Sequence, residues 1–260
     1  MTEPDRRFRT VLENRHEVLE HLLTHSATKP ELVDALDTSR STVDRAIRDL
    51  TETGCVTESG AEYVATTTGR LAFDEFDRYR TGARSVRKTR EFLDYLPADA
   101  PLDTAILTGA TVTLSEAHAP DRALAPSIDL FERATALEGL APVVLTLYPD
   151  VIANRGQRRD RTVEIIAETT VIETLPTLAS SQVESLLNDE TVSLLEASES
   201  LPYALWLMET PDGEYAGITA YDSGGVGGVL INDSAEAVRW ARERYADVRA
   251  TARPVSSSRF

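Results

Sequence analysis

Within the stretch "TSRSTVDRAIRDLTETGCV" (38–56), Arg40, Arg45 and Arg48 are interleaved with Ser39, Ser41 and Thr42. A guanidinium offers a planar fork of donors that fits guanine O6 and N7 or a pair of phosphate oxygens. Small hydroxyls and the free N–H groups opening a helix suit a phosphate. At 100° per residue, Val43, Ala46, Ile47 and Leu50 fall within one arc, with Ser41, Arg45 and Arg48 nearly opposite. The spacing predicts a helix with one core face and one bare donor face. A plainer reading competes with this: Asp44, Arg48 and Glu52 stand at i, i+4 and i+8, which also describes a ladder of surface ion pairs.

The neighbouring elements weigh between the two. Phe8, Val11, Leu12, Leu19, Leu22 and Leu23 recur at helical spacing and predict a first helix over about 7–25. Thr28 followed by Lys-Pro-Glu is a hydroxyl cap with Pro and Glu in the opening turn, so Leu32, Val33 and Leu36 belong to a second short helix. Ser39 or Thr38 caps the third, and Gly54 stands where a left-handed stop is expected. "CVTESGAEYVAT" then alternates about Ser59-Gly60 as a hairpin. Three helices and a hairpin within some 60 residues have the order of a winged helix-turn-helix. In that frame Arg40, Ser41, Thr42, Arg45 and Arg48 enter a major groove, and the hairpin at Ser59 touches backbone.

Residues 69–96 read as one long helix. Ala72, Phe76, Tyr79, Ala83, Val86 and Leu93 alternate by four and three, a seam able to pair two protomers or to pack on its own chain. The same segment carries "RYRTGARSVRKTR", a strongly basic run whose Arg84, Arg87 and Lys88 could meet flanking DNA backbone. Pro97, Pro101 and "PADAPLD" mark a boundary. The expected organisation is 1–66 winged helix-turn-helix, 67–97 linker and dimerisation helix, 98–254 α/β domain and 255–260 a frayed tail.

Beyond the boundary strand-like and helical stretches alternate: "TAILTGATVTL", a helix near 126–138, "APVVLTLY", a helix near 150–159, "VEIIAETTVIETL", a helix near 178–188, then "VSLLEA", "YALWLME", "YAGITAY" and "GVLI". A final helix carries Val238, Ala241, Tyr245 and Val248 on one face. This predicts a mixed α/β sheet flanked by helices and ending in an antiparallel meander. "NRGQRRDR" holds Arg155, Arg158, Arg159 and Arg161 after a strand, a place where open sheets bind ligands. Tyr148, Trp206 and Tyr221 could wall a pocket there for an anionic effector, although aromatic residues on strands are more often core.

Charge and composition narrow the field. The 260 residues carry net −16, with two lysines against twenty-five arginines, a balance suited to cytoplasm at very high salt. Residues 1–65 hold eight basic and thirteen acidic groups; residues 98–260 hold twelve and twenty-five. Nucleic acid can therefore be met only locally. Cys55 stands alone, which excludes an intramolecular disulfide and a multi-cysteine metal site. His21 and His25, at i and i+4, are the one pair spaced to share a metal, without supporting carboxylates. "GGVGG" (224–228) lacks the following helix of a dinucleotide loop and reads as a flexible turn. No cofactor, catalytic constellation or apolar membrane span is expected, and the amino terminus lacks a secretory signal's apolar core.

"SRSTVDRAIRDLTETGCV" with its hairpin and "TTTGRLAFDEFDRY", "ILTGATVTLSEAHAPDRALAPSIDLFERA", and "YALWLMETPDGEYAGITAYDSGGVGGVLINDSAEAVRWARERYADVRATA" together resemble haloarchaeal winged-helix transcription regulators of TrmB-like layout. Their carboxyl-terminal effector domain is of the type named after the methanogenesis filament regulator. The resemblance spans nearly the whole chain. It implies a dimeric regulator that binds double-stranded DNA at a pseudo-palindromic operator, and a sensor domain related to a phospholipase D-like α/β fold. The phospholipase D His-x-Lys motif is absent, since neither Lys29 nor Lys88 follows a histidine in that spacing, so regulation without catalysis is expected. The alternative is a metabolite-binding protein or enzyme whose amino-terminal helices mediate protein contacts.

Overall fold

The computed structural model describes residues 2–116, 118–143, 161–175, 191–222 and 225–255. The chain divides into two compact units, 1–83 and 84–260. In the first, α1 (Glu3–Thr24), α2 (Lys29–Ala35) and α3 (Arg40–Glu52) precede β1 (Val56–Ser59) and β2 (Glu62–Ala65). The local chemistry explains the boundaries. Thr28 and Glu31 form a reciprocal capping box at α2, and Ser39 Oγ accepts the Thr42 N–H at α3. Gly54, at φ 73°, ends α3 as Cys55 N–H reaches back to the Leu50 carbonyl at 2.9 Å, the Schellman pattern. Val43, Ala46, Ile47 and Leu50 are buried with Leu12, Leu19, Leu22 and Leu32 in one core. Each large aliphatic contributes about 1.5–3 kcal/mol. Ala27 bridges Tyr63, fixing the hairpin against the turn before α2.

Next comes α4 (Thr67–Lys88), whose Ala72, Phe73 and Phe76 pack on that core. Gly69 is required there because a Cβ would lie 2.1 Å from the Cys55 carbonyl oxygen. The single helix expected to 96 is broken: Thr89 leaves helical geometry, its hydroxyl donating to the Ser85 carbonyl, and α5 (Arg90–Leu93) follows as a separate turn.

In the second unit the strands are β3 (Thr111–Leu114), β4 (Ala136–Ala141), β5 (Thr162–Ala167), β6 (Val192–Glu196), β7 (Ala204–Thr210), β8 (Gly213–Asp222), β9 (Gly225–Asn232) and β10 (Arg253–Pro254). They form one mixed sheet in the order β10-β6-β5-β4-β7-β8-β9-β3. β4, β5 and β6 run parallel, and β7, β8 and β9 form the expected antiparallel meander. The helices are α6 (Thr104–Leu107), α7 (Ala125–Arg133), α8 (Thr169–Thr174) and α9 (Ala235–Arg249). On one sheet face Val238, Ala241, Tyr245 and Val248 of α9 join Leu140, Ile166, Leu205 and Ile218; on the other, Leu130 and Phe131 of α7 meet Leu137, Val163 and Trp206.

The helix placed at 126–138 stops at Arg133, and 136–141 is a central strand whose Leu137 and Leu140 feed opposite cores. "TAIL" is a helical turn capped by the Asp103 carboxylate rather than strand, and "TTVIET" is helix. Gly225, Gly227 and Gly228 belong to β9 rather than to a turn. A Cβ on Gly227 would stand 2.6 Å from the Tyr95 ring, so this glycine marks a close approach. The helices placed near 150–159 and 178–188, and the tail from 256, lie outside the described residues.

Candidate nucleic-acid interface

Ion pairing sorts the two charges on α3. Asp44 is drawn to Lys29 Nζ at 2.8 Å, Asp49 to Arg15 at 3.1 Å, and Glu52 to Arg7. The lysine holds the Asp44 carboxyl below its ordinary value, and the carboxylate raises the lysine in return. The ladder of Asp44, Arg48 and Glu52 is thus not what forms: the acids turn toward α1 and α2, and among the described residues Arg48 pairs with its neighbour Asp49 alone, at 3.5 Å.

What remains outward is the donor set. Arg40, Ser41, Arg45 and Arg48 are exposed, and Thr42 is half-buried with its hydroxyl 2.8 Å from Ser39 Oγ. Arg45 Nε donates to the Ser41 carbonyl at 3.1 Å. The structure therefore brings Arg40, Ser41, Thr42, Arg45 and Arg48 onto one short helix segment. Ser59 is exposed at the end of β1. The hairpin around it carries Glu58 and Glu62 and no basic residue between 54 and 66, with Glu62 accepting from Ser26 Oγ at 2.5 Å. Arg84, Arg87 and Lys88 are exposed on α4. On the same helix Leu71, Tyr79 and Val86 are 53%, 69% and 42% exposed, three of the four exposed large apolar side chains among the described residues.

Of the residues expected to wall an effector pocket, the structure describes Trp206 and Tyr221. Tyr148 and Arg155 lie outside the described residues. Trp206 is 6% exposed, lying against Gly217, where a Cβ would be 2.0 Å from its ring, and its buried indole N–H has no acceptor among the described residues. Tyr221 packs half-buried against the same core. Arg161 is likewise buried, 4.6 Å over Phe131, and donates to the Glu132 carbonyl at 2.8 Å.

A cleft among the described residues lies on the opposite, α9 face of the sheet. It encloses about 540 Å³ and is lined by Glu138, Glu164, Glu209, Glu214, Leu207, Arg242 and Arg249 among others. Arg249 bonds Glu164 at 2.5 and 3.1 Å, Tyr245 donates to the same carboxylate at 2.7 Å, and Arg242 pairs with Glu214. The Arg249 hydrogen bond holds Glu164 below the usual glutamate range, whereas burial pushes Glu138 above it and raises the Tyr245 hydroxyl strongly. Sequence reasoning missed this site; its signal was a glutamate placed inside each of the apolar runs "ALEGL", "TVEII" and "LWLMET". His21 and His25 have ring centroids 5.8 Å apart, and no group of three or more potential metal ligands occurs among the described residues. No helix there is long and apolar enough to cross a membrane.

Comparison with known proteins places this architecture. The family model described as the methanogenesis regulatory protein FilR1, middle domain, matches residues 120–251, about half of the chain. The chain belongs to the FilR1 middle-domain family. Ahead of that domain, the model of the HVO_A0261 N-terminal domain matches residues 4–88, from α1 through α4. No curated protein matches. Among solved structures, the archaeal chromatin protein TrmBL2, whose structure shows a novel mode of DNA binding, is 14% identical, with 96% of this chain and 99% of that one covered at a TM-score of 0.40. NucT from Helicobacter pylori is 12% identical over 56% of this chain and 98% of its own, and Nuc from Salmonella typhimurium, a phospholipase D family member, 9% identical over 57% and 99%, both at a TM-score of 0.40.

Proposed function

We propose that this FilR1-family chain is a DNA-binding transcription regulator. Its first unit acts as a winged helix-turn-helix that inserts the amino-terminal half of α3 into a major groove. The observation that carries this reading is the charge sorting on α3: each of its carboxylates is drawn to a cation, those of Lys29, Arg15 and Arg7 on neighbouring helices among them, while Arg40 and Arg45 stay exposed with no ion pair among the described residues. The family description, a regulatory protein, agrees with it. Arg84, Arg87 and Lys88 supply flanking phosphate contacts in this reading. The exposed apolar stripe of α4, Leu71, Tyr79 and Val86, pairs two protomers so that two α3 helices meet the half-sites of a pseudo-palindrome. The α/β domain binds a small effector and biases the separation of those helices, and no catalysis is assigned to it.

The hairpin's role changes within this proposal. Glu58 and Glu62 make the wing a poor partner for phosphate, so Ser59 is left as its single candidate contact. Chromatin immunoprecipitation in the native host, which preserves internal salt, tests the reading as a whole. Peaks sharing an inverted repeat are the expected result; a profile indistinguishable from background sinks it.

A further inference from the structure

We infer that Arg45 is the residue with which this chain reads sequence, and that the base it reads is guanine; the inference rests on the DNA-binding reading above. The Nε–H of Arg45 is committed to the Ser41 carbonyl one turn back, at 3.1 Å. That bond folds the side chain toward the amino end of α3, the end from which a recognition helix contacts base edges. It also fixes the guanidinium while leaving both Nη groups unengaged among the described residues. Two parallel N–H donors held in one plane are what guanine O6 and N7 accept in the major groove, a pattern that distinguishes guanine from the other bases.

The neighbouring arginines are disposed differently. Arg48 points its Nη2 at Asp49, 3.5 Å away, and that carboxylate is gripped from the other side by Arg15. A guanine would have to compete with a carboxylate for Arg48. Arg40 opens the helix, beside the outward-facing N–H groups that suit a phosphate. Asp44, adjacent in sequence to Arg45, is held by Lys29 and does not compete for its fork. Arg45 therefore specifies, and Arg40 and Arg48 position.

The test is selection of binding sites by the full-length protein from randomised duplexes in concentrated KCl, followed by titrations of the selected site. Wild type is expected to enrich a guanine at one position of each half-site. Arg45→Ala is expected to bind that site about 10- to 100-fold more weakly and to lose preference at that position. Replacing this guanine by 7-deazaguanine, which lacks the N7 acceptor, should weaken wild type about tenfold and leave Arg45→Ala unchanged. Arg45→Lys keeps the charge and can still donate to O6 or N7 but lacks the planar fork, so its guanine preference should fall between those of wild type and the alanine variant. Because Arg45 is exposed, circular dichroism of each variant should match wild type.

If Arg45→Ala instead weakens all duplexes alike and lowers the salt slope by about one, Arg45 is a phosphate contact and the assignment fails while DNA binding stands. Retention of the guanine in the Arg45→Ala selection, with its loss in Arg48→Ala, transfers the role and overturns the assignment too. If wild type enriches no sequence, the underlying reading falls and this inference with it.

Discussion

The outer face of α3 and the cleft beneath α9 are built from the same two kinds of charged group, carboxylates and basic side chains, and end with opposite charge. On α3 the carboxylates Asp44, Asp49 and Glu52 are drawn to Lys29, Arg15 and Arg7, and the guanidinium of Arg45 is left over. In the cleft the guanidiniums of Arg242 and Arg249 are taken by Glu214 and Glu164, and Glu138 and Glu209 are left without an ion pair among the described residues. Net charge does not separate the regions, since both halves of the chain are acidic. What separates them is which partner the backbone places within reach. A strongly acidic protein can thus present a locally cationic face without a basic domain.

The largest test of that contrast reverses the cationic face. Arg45→Glu with Arg48→Glu replaces two positive charges by two negative ones, and affinity for a selected operator is expected to fall at least about 100-fold. The helix should be retained by circular dichroism, because both side chains are exposed. Undiminished binding would remove α3 from the interface. In the cleft the corresponding cut is Glu164→Gln, which weakens the bonds to Arg249 and Tyr245 together. It should lower unfolding stability by about 1–2 kcal/mol in urea titrations. Glu138→Gln should act in the reverse direction. Its carboxylate is half-buried without an ion pair, so removing the charge is expected to stabilise, by up to about 1 kcal/mol after allowance for solvent screening.

The two glutamates also predict opposite pH dependences. Glu164 has a lowered pKa in the folded protein, so its stabilisation is present above the ordinary value of 4.5 and is lost as pH falls through the folded value. Glu138 has a raised one, so folding is favoured below 4.5 and loses that contribution as pH rises through the folded value. Thermal melts of Glu138→Gln should therefore lose less stability than wild type between pH 5 and neutrality. Those of Glu164→Gln should be flatter than wild type below pH 4.5.

These contrasts were unequally legible in the sequence. The α3 face could be read in advance because everything that builds it is local: the Ser39 cap, the buried arc Val43, Ala46, Ile47 and Leu50, and Gly54 all act within one turn of their position. Only the partners of its carboxylates, on α1 and α2, needed the fold. The mixed sheet and its closing meander are legible in the same way, but β4 is not. It lies between β5 and β7 with Leu137 and Leu140 buried on opposite faces, so "ALEGLA" shows no period-two alternation and reads as a continuation of the preceding helix. Gly227 looked like loop composition because its reason, the Tyr95 ring, lies 132 residues away in the chain. The cleft was hidden for the same cause. Glu138 and Glu164 face one another only through the β4–β5 register, as do Glu209 and Glu214 through β7–β8.

The smallest expected effect bears most directly on how the α3 face is kept cationic. Lys29 sits in the first turn of α2, touches Asp44 Nζ to Oδ1 at 2.8 Å and lies 5.7 Å over the Tyr63 ring. Both charged groups are substantially exposed, so the pair adds little to folding, and Lys29→Gln should leave the melting temperature nearly unchanged. Its effect belongs to binding. With Lys29 removed, Asp44 stands unneutralised one residue from Arg45, repelling phosphate and offering Arg45 a competing acceptor. Operator affinity is then expected to fall about two- to threefold at low salt, with the difference fading as added salt screens it. Asp44→Asn placed on top of Lys29→Gln should restore the loss, because the lysine matters here only through the carboxylate it holds. If the double variant binds as weakly as the single one, Lys29 contacts DNA itself, and the sorting of charge on α3 is not what sets the face's affinity.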